Sequence, residues 1–168
     1  MKYILTTDRL KLRQFELSDA EFIVELVNTP GWLEFIGDRN IKSVESANEY
    51  LQNGPLKSYA ENGFGLWLVE LKSDRTSIGM CGILKRDSLE NPDIGFAFLP
   101  DFVGKGYAFE MVTATLKYAL YSIKLKTIFA ITIPTNVRSR KLLEKLGFRY
   151  SDTIRLSPES ETLFLYCN

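Results

Sequence analysis

The segment from Leu99 to Ala108, with the sequence LPDFVGKGYA, constrains the fold more than any other part of the chain. The apolar stretch from Ile94 to Leu99 is typical of an interior strand, and the proline that follows prevents its simple continuation. The residues from Ala108 to Tyr121 favour a helix, so Gly104 and Gly106 stand at the entrance of that helix. Its first backbone N–H groups lack helical partners, and the helix dipole places partial positive charge there. The turn therefore predicts either a plain strand-to-helix connector or an anion site suited to a phosphate-bearing cofactor.

Two common phosphate motifs do not fit this turn. A P-loop needs Ser or Thr directly after Gly-Lys, and this chain has Gly106 there. The dinucleotide fingerprint needs a third glycine where this chain has Phe109. The rest of the chain must therefore decide what the turn binds.

The length predicts a single domain that spans residues 1–168, and the charge balance indicates which partners to expect. A chain of 168 residues with 45% hydrophobic content buries a sizeable core. Lys plus Arg and Asp plus Glu number 21 each, so no global field attracts nucleic acid or an anionic membrane. No apolar run reaches membrane-spanning length, and charged residues interrupt Met1 to Leu10 where a signal peptide needs an apolar core. We therefore expect a cytoplasmic protein with neither a nucleic acid nor a membrane as partner.

The chain contains no histidine, which excludes several catalytic arrangements. Ser-His-Asp triads, Cys-His dyads and histidine-ligated zinc sites are all ruled out, and no cluster of thiols replaces them. We expect no metal. Cys81 and Cys167 are expected to be packing residues, because no histidine can activate a thiol for a covalent route. Acid and base catalysis must come from carboxylates, Tyr, Ser, Lys or water.

The hydrophobic periodicity predicts an α+β fold with a mixed sheet. A strand region is followed by two helices, three strands, a helix, a strand, a helix and two strands. A helix that crosses between two strands is typical of a right-handed parallel unit. The predicted strands are Tyr3 to Thr6, Leu10 to Arg13, Gly65 to Leu71, Thr76 to Leu84, Asp93 to Leu99, Thr127 to Ile133, Tyr150 to Leu156 and Thr162 to Tyr166.

Cap and breaker residues predict where the helices begin and end. Ser18 and Glu21 suit a capping box for the first helix, and the second helix begins near Ser43. The sequence Asn53-Gly54-Pro55 is expected to end that second helix. Asn136 is a good N-cap for the last helix.

An apolar cluster follows the first helix and has two interpretations. Trp32, Phe35 and Ile36 either belong to the core or wall a substrate groove.

Four ordered segments resemble the GNAT superfamily of N-acetyltransferases, and within it the type that acetylates ribosomal-protein N-termini. Thr7 to Arg13 is similar to the first strand of that type, and Phe35 to Asp38 to its region between the first two helices. Leu99 to Ala108 is similar to its pyrophosphate loop. The run from Asn136 through Ser139 to Phe148 is similar to its late helix and exit. The resemblance covers almost the whole chain.

The resemblance implies a fold and a cofactor. The fold is a single GNAT-like domain with a central, mostly antiparallel twisted sheet flanked by helices, and the cofactor is held at a splayed pair of parallel strands. Acetyl-CoA is the expected co-substrate. The implied cofactor-binding residues are the strand end Phe98 and Leu99, the loop residues Val103, Gly104, Lys105, Gly106, Tyr107 and Ala108, and Asn136 beside the pantetheine.

The catalytic residues are less fully defined, because the chain departs from the superfamily pattern. Asp101 stands where the general motif has Arg or Gln, and Leu143 stands where many members have a tyrosine acid. Ser139 is then the candidate donor to the departing thiolate, against the alternative of an exposed helix serine. Asp93 is a candidate base or substrate anchor, against a solvated strand-end carboxylate. A backbone N–H near Phe98 or Leu99 is expected to polarise the carbonyl.

The expected activity is transfer of an acetyl group to a primary amine, directly and within a ternary complex. The acceptor is a protein N-terminus or a small amine, and the protein is a monomer or a homodimer. A CoA-binding protein without transferase activity is the main alternative, because Leu143 replaces the usual tyrosine. A nucleotide-binding or structural domain is a third.

Overall fold

A computed structural model describes all 168 residues as one eight-stranded sheet with helices on both faces. The strands run in the spatial order β1-β2-β3-β4-β5-β6-β8-β7, and every neighbouring pair is antiparallel except β5 and β6. This confirms the predicted mixed, mostly antiparallel sheet. The strands are β1 Tyr3–Thr6, β2 Leu10–Arg13, β3 Leu66–Leu71, β4 Ser77–Leu84, β5 Asp93–Phe98, β6 Phe129–Thr132, β7 Arg149–Ile154 and β8 Leu163–Cys167.

Six α-helices flank this sheet. They are α1 Ala20–Val27, α2 Pro30–Phe35, α3 Val44–Leu51, α4 Lys57–Asn62, α5 Tyr107–Tyr121 and α6 Val137–Lys145. None of them is both long and apolar enough to cross a membrane.

Two hydrophobic clusters fill the space between helices and sheet, one on each face. Alternation along β3 divides its side chains, since Trp67 and Val69 join the cluster under α5 while Leu68 joins the cluster under α1 and α3. The same alternation puts Ile94 of β5 in the first cluster. Leu99, just beyond β5, lies in the second. Strand β5 is therefore packed on both faces, which fixes the position of the loop that follows it.

The predicted capping box at Ser18 and Glu21 is wrong. The chain first forms a 3₁₀ turn at Leu17–Asp19, and the reciprocal capping bonds involve Glu16 and Asp19. Asp19 is held there by Arg13, whose guanidinium donates to both of its carboxylate oxygens at 2.8 Å. The tertiary ion pair therefore decides which residues begin this helical segment.

The predicted break at Asn53-Gly54-Pro55 is also wrong. The chain passes through one wider π-helical turn, Gln52–Leu56, and continues into α4, which ends at Gly63 in the left-handed conformation, φ +76°. A wider turn accommodates a residue without an N–H, so Pro55 is tolerated inside the helical segment. The predicted start at Ser43 is confirmed, because its side chain accepts a hydrogen bond from the Ser46 N–H.

Candidate active site

The loop between β5 and α5 has the conformation that its glycines permit. Pro100–Phe102 forms a 3₁₀ turn, Val103 is extended, and Gly104 and Gly106 then adopt φ values of +79° and +82°. These angles lie in the left-handed region that non-glycine residues rarely adopt. Gly106 is the N-cap of α5, and it has no side chain to cap the helix. The entrance of α5 is therefore open to an external acceptor.

The backbone N–H groups of this loop are free to bind such an acceptor. From Gly104 to Phe109, no N–H donates a hydrogen bond within the protein, and the first helical bond runs from the Glu110 N–H to the Gly106 carbonyl at 3.1 Å. The Val103 N–H is different, since it bonds to the Pro100 carbonyl at 3.2 Å. Within the predicted set of loop donors, the Val103 N–H is thus occupied, and the Phe109 N–H just beyond that set is also free. A run of oriented N–H groups at a helix start fits a phosphate without any cationic side chain.

The side chains near this loop add little to its charge. Asp101 is exposed and makes neither a hydrogen bond nor an ion pair. The Lys105 ammonium lies 5.6 Å from the centre of the Phe102 ring, over its face. Tyr107 and Ala108 are the first two residues of α5, and their N–H groups donate no hydrogen bond within the protein.

A gap opens between β5 and β6 beside the loop. The two parallel strands pair only at Asp93 and Phe129, and beyond that point β5 pairs with β4 alone. The Leu99 N–H donates to the Ile78 carbonyl at 2.9 Å. Because backbone groups alternate in direction along a strand, those of Phe98 and Phe96 face the gap instead. Leu99 thus has no free N–H to polarise a carbonyl, and Phe96 is a gap-facing position that sequence reasoning missed.

Asp93 lies at the closed end of the gap and is only 1% exposed. Burial raises the pKa of its carboxyl group, and the charge and hydrogen bond of Arg86 oppose that rise. The Arg86 Nε donates to Asp93 Oδ1 at 2.8 Å, while Oδ2 accepts no hydrogen bond from another residue. The alternative of a solvated strand-end carboxylate is therefore wrong.

Asn136 and Ser139 lie at the start of α6, one helical turn apart. The Asn136 Oδ1 accepts the Ser139 N–H at 3.2 Å, which confirms the predicted N-cap. The Asn136 Nδ2 and the Ser139 Oγ make no hydrogen bonds within the protein. Both residues are half-buried, so two donors are held in place with no internal partner.

These groups are distributed along the gap and are not gathered at one point. Because β5 and β6 are parallel, the loop and the start of α6 follow the same edge of the sheet. Five residue steps separate Asp93 from Phe98, about 16 Å of extended strand. Helix α6 runs back along the gap from Asn136, and Ser139 lies only about 4.5 Å further along the helix axis. Ser139 is therefore nearer to the loop than Asp93 is, and no hydrogen bond joins the two.

A glycine loop with free N–H groups, followed by a helix and beside a splayed parallel pair, matches a known domain family. A family model described as "Acetyltransferase (GNAT) domain" matches residues 9–149. The chain belongs to the GNAT family. It is an N-acetyltransferase, and the family uses acetyl-CoA as its acyl donor.

Two proteins of Bacillus subtilis (strain 168) show the relationship in sequence. The uncharacterized N-acetyltransferase YoaA is 28% identical over 153 residues, which cover 90% of this chain and 86% of YoaA. The uncharacterized protein YkkB is 31% identical over 155 residues, which cover 90% of this chain and 88% of YkkB.

Solved structures show the same fold. A GNAT family acetyltransferase from Bacillus anthracis superposes with a TM-score of 0.79 at 26% identity, over 99% of this chain and 97% of that one. RimL, a ribosomal L7/L12 alpha-N-protein acetyltransferase in complex with coenzyme A, gives a TM-score of 0.84 at 14% identity, with coverages of 99% and 97%. A variant of spermidine N-acetyltransferase SpeG from Vibrio cholerae gives 0.73 at 20% identity, with coverages of 96% and 94%.

The position of the usual GNAT tyrosine acid belongs to the core in this protein. Leu143 is 1% exposed and packs in the cluster under α5. Cys81 is fully buried as well, and burial raises the pKa of its thiol to about 12, although a hydrogen bond with Thr115 opposes that rise. Neither residue is a candidate for proton transfer or nucleophilic attack, and Ser139 carries the hydroxyl group of α6.

The predicted groove residues differ in their exposure. Trp32 is only 7% exposed and belongs to the cluster under α1 and α3, and its indole N–H has no partner. Phe35 is half-buried, and Ile36 is 39% exposed at the end of α2. The core interpretation therefore holds for Trp32, and the two other side chains keep surface that an acceptor can contact.

Proposed function

We propose that this GNAT protein transfers the acetyl group of acetyl-CoA to a primary amine, directly and within a ternary complex. The observation that carries the proposal is the free run of N–H groups from Gly104 to Phe109 at the end of the splayed β5 and β6 pair. These N–H groups hold the pyrophosphate at the start of α5. Bound acetyl-CoA supplies the thioester. The side chains and backbone of this chain must bind the pantetheine arm, accept the proton of the amine and stabilise the departing thiolate.

The gap between β5 and β6 receives the pantetheine arm. Its amide groups pair with the backbone of Phe98 and Phe96, which faces β6 without a strand partner. The Asn136 Nδ2 donates to the arm from the opposite side. The arm then extends from the loop towards Asp93, so that the acetyl group lies in the buried part of the gap.

Proton transfer from the acceptor amine falls to Asp93. The reaction forms a C–N bond and breaks a C–S bond, and the attacking amine must lose a proton. An alkyl amine has a pKa of about 10.4, so a proton acceptor accelerates the reaction. The free Oδ2 of Asp93 receives the proton through water, because the carboxylate lies deep at the closed end of the gap. Arg86 opposes the rise in the pKa of this carboxyl group that burial causes.

The departing thiolate requires a donor, and the Ser139 hydroxyl is the one that α6 offers. A serine is a weak acid, so it stabilises the developing sulfur charge by a hydrogen bond. The thiolate then takes up the proton released from the amine.

The acceptor is a primary amine on a protein N-terminus or on a small molecule. RimL is named for a ribosomal protein acceptor and SpeG for spermidine, and both share the fold. We assign the exposed Ile36 and the half-buried Phe35 to contact with the carbon chain of such an amine.

A CoA-binding protein without transferase activity is the alternative. The burial of Leu143 favours it, because the fold then lacks the tyrosine acid that many family members use.

The test is thiol release from acetyl-CoA across a panel of peptides, polyamines and aminoglycosides, together with calorimetric titration of CoA. Release that depends on one class of amine supports the transferase. Micromolar CoA binding with no release for any amine supports the alternative. Accumulation of an acetylated protein with acetyl-CoA alone, detected by intact mass, would contradict direct transfer.

A further inference from the structure

Arg9, in the turn between β1 and β2, contacts the glycine loop through its guanidinium group. Its Nη1 donates to the Lys105 carbonyl at 3.0 Å, and its guanidinium lies 4.3 Å from the centre of the Tyr107 ring. A Cβ built on Gly106 would approach its Nη2 to 3.3 Å. One side chain from a distant part of the sequence thus contacts Lys105 and Tyr107 and lies beside the Gly106 between them.

A second set of bonds fixes Arg9 itself. Its Nε donates to Glu110 Oε2 at 2.7 Å, and its backbone N–H donates to Glu110 Oε1 at 2.9 Å. The Thr7 hydroxyl donates to the same Oε1 at 2.6 Å. Glu110 lies in the first turn of α5, so these bonds tie the β1–β2 turn to the helix that begins at the loop.

The bond to the Lys105 carbonyl determines the direction of the next N–H group. The carbonyl of Lys105 and the N–H of Gly106 belong to one planar trans peptide and point in opposite directions. Because Arg9 holds the carbonyl on its own side, the Gly106 N–H points away from Arg9, and it donates no hydrogen bond within the protein. Gly106 adopts φ +82° and has little intrinsic preference for this orientation, so an external bond is needed to select it.

Arg9 also removes an electrostatic conflict. The Glu110 carboxylate lies at the helix N-terminus that we assign to the pyrophosphate, and two anions there repel each other. Burial alone raises the pKa of Glu110, but the hydrogen bonds from Thr7 and Arg9 outweigh it and lower that pKa below its ordinary value. The carboxylate is therefore charged, and the guanidinium neutralises it at 2.7 Å.

We propose that Arg9 is a positioning residue that orients the Lys105–Gly106 peptide for pyrophosphate binding and is itself anchored by Glu110. The proposal rests on the proposed function, because it assumes that the loop binds the pyrophosphate of CoA. Arg9 does not contact the cofactor. It acts by preorganising the N–H donors, which lowers the cost of ordering the loop on binding.

The test compares Arg9→Gln with Lys72→Gln. Lys72 lines the same surface depression as Arg9, and its side chain makes no hydrogen bond or ion pair, so it is a matched control for loss of one positive charge. We expect Arg9→Gln to weaken CoA binding about tenfold, the size of one charge-assisted hydrogen bond, and Lys72→Gln to change it less than twofold. In the ligand-free protein, the heteronuclear NOE of the Gly106 amide should fall in Arg9→Gln alone.

Arg9→Lys separates orientation from charge. A lysine keeps the charge but cannot donate to Glu110 and to the Lys105 carbonyl through one planar group, so we expect it to bind CoA several-fold more weakly than the wild type. Wild-type affinity in Arg9→Lys or in Arg9→Gln would overturn the proposal, and so would an equal loss in Lys72→Gln. If the wild type itself does not bind CoA, the proposed function fails first, whatever the Arg9 variants show.

Discussion

Replacing Gly104 by valine tests whether the left-handed loop conformation is what binds the pyrophosphate. No protein atom lies within 4 Å of a Cβ built at Gly104, so the substitution causes no steric clash. Its φ of +79° is the whole source of strain. A left-handed conformation costs an L-residue about 1–2 kcal/mol, and a β-branched side chain lies at the upper end of that range.

The expected effect on affinity follows from that cost. If the exposed loop relaxes to relieve about 2 kcal/mol of strain, the binding-competent conformation becomes about 30-fold rarer, and the apparent Kd for CoA rises by the same factor. The thermal stability of the ligand-free protein should change little, because a relaxed loop no longer carries the strain. Gly104→Asn should show a smaller loss, since asparagine tolerates left-handed backbone better than other L-residues do.

Gly63 provides the matched control. It has nearly the same backbone angle, φ +76°, and again no atom lies within 4 Å of its Cβ, but it ends α4 and lies outside the loop. Gly63→Val should lower Tm by about 4–8 °C for about 2 kcal/mol of strain and leave the Kd for CoA unchanged. Calorimetric titration and thermal melts measure both quantities. Wild-type CoA affinity in Gly104→Val, or an equal loss of affinity in Gly63→Val, would refute the reasoning.

Three further predictions concern the proposed catalytic residues and the stability of the fold. Ser139→Ala should lower kcat at least tenfold and leave CoA affinity unchanged, because the hydroxyl assists only the departing thiolate; an unchanged kcat in the thiol-release assay would remove Ser139 from the mechanism. Asp93 has a raised pKa, so the folded protein binds the proton more tightly and loses stability as pH rises from the ordinary aspartate value through the raised one; denaturant melts of Asp93→Asn should lack this slope, and an identical slope would contradict it. Arg13→Met should destabilise the fold by about 3–5 kcal/mol, because it leaves the buried Asp19 and Glu70 carboxylates without their ion-pair partner. A shift in the urea midpoint equivalent to less than 1 kcal/mol would show that the ion pairs of Arg13 are not needed for stability.

The sequence predicted features that depend on short-range chemistry. Asn136 caps α6 as expected, because its side chain reaches an N–H only three residues away. The glycines at 104 and 106 were recognisable because few other residues adopt their backbone angles. The order of the strands followed from periodicity, which reports which side of each element is buried, but helices α2 and α4 were not predicted. The family resemblance then gave these local features a common function.

The missed features depend on partners far away in the sequence. Asp19 is a cap because Arg13 binds it, and the same guanidinium donates to Glu70 at 2.6 Å across 57 positions. Arg9 reaches Glu110 across 101 positions, so no local pattern connects them. The occupied N–H of Leu99 follows from the register between β4 and β5, which residue types alone do not determine. Tertiary pairing, and not local propensity, decided each case.

The proposed mechanism separates binding from chemistry along β5, and this determines how variants should be interpreted. At the loop end, recognition depends on backbone N–H groups, and side chains act only by holding the backbone in place, as Gly104 does through its φ and Arg9 through a carbonyl. About 16 Å away along the strand, the proposed proton acceptor is a buried side chain, Asp93, which accepts a hydrogen bond from Arg86. Variants of the loop should therefore raise the Kd of CoA and leave kcat at saturation largely intact, whereas Asp93→Asn should lower kcat with little change in that Kd. A loop variant that lowered kcat at saturating acetyl-CoA would show that the two ends are coupled, and direct transfer along one rigid strand would no longer account for the reaction.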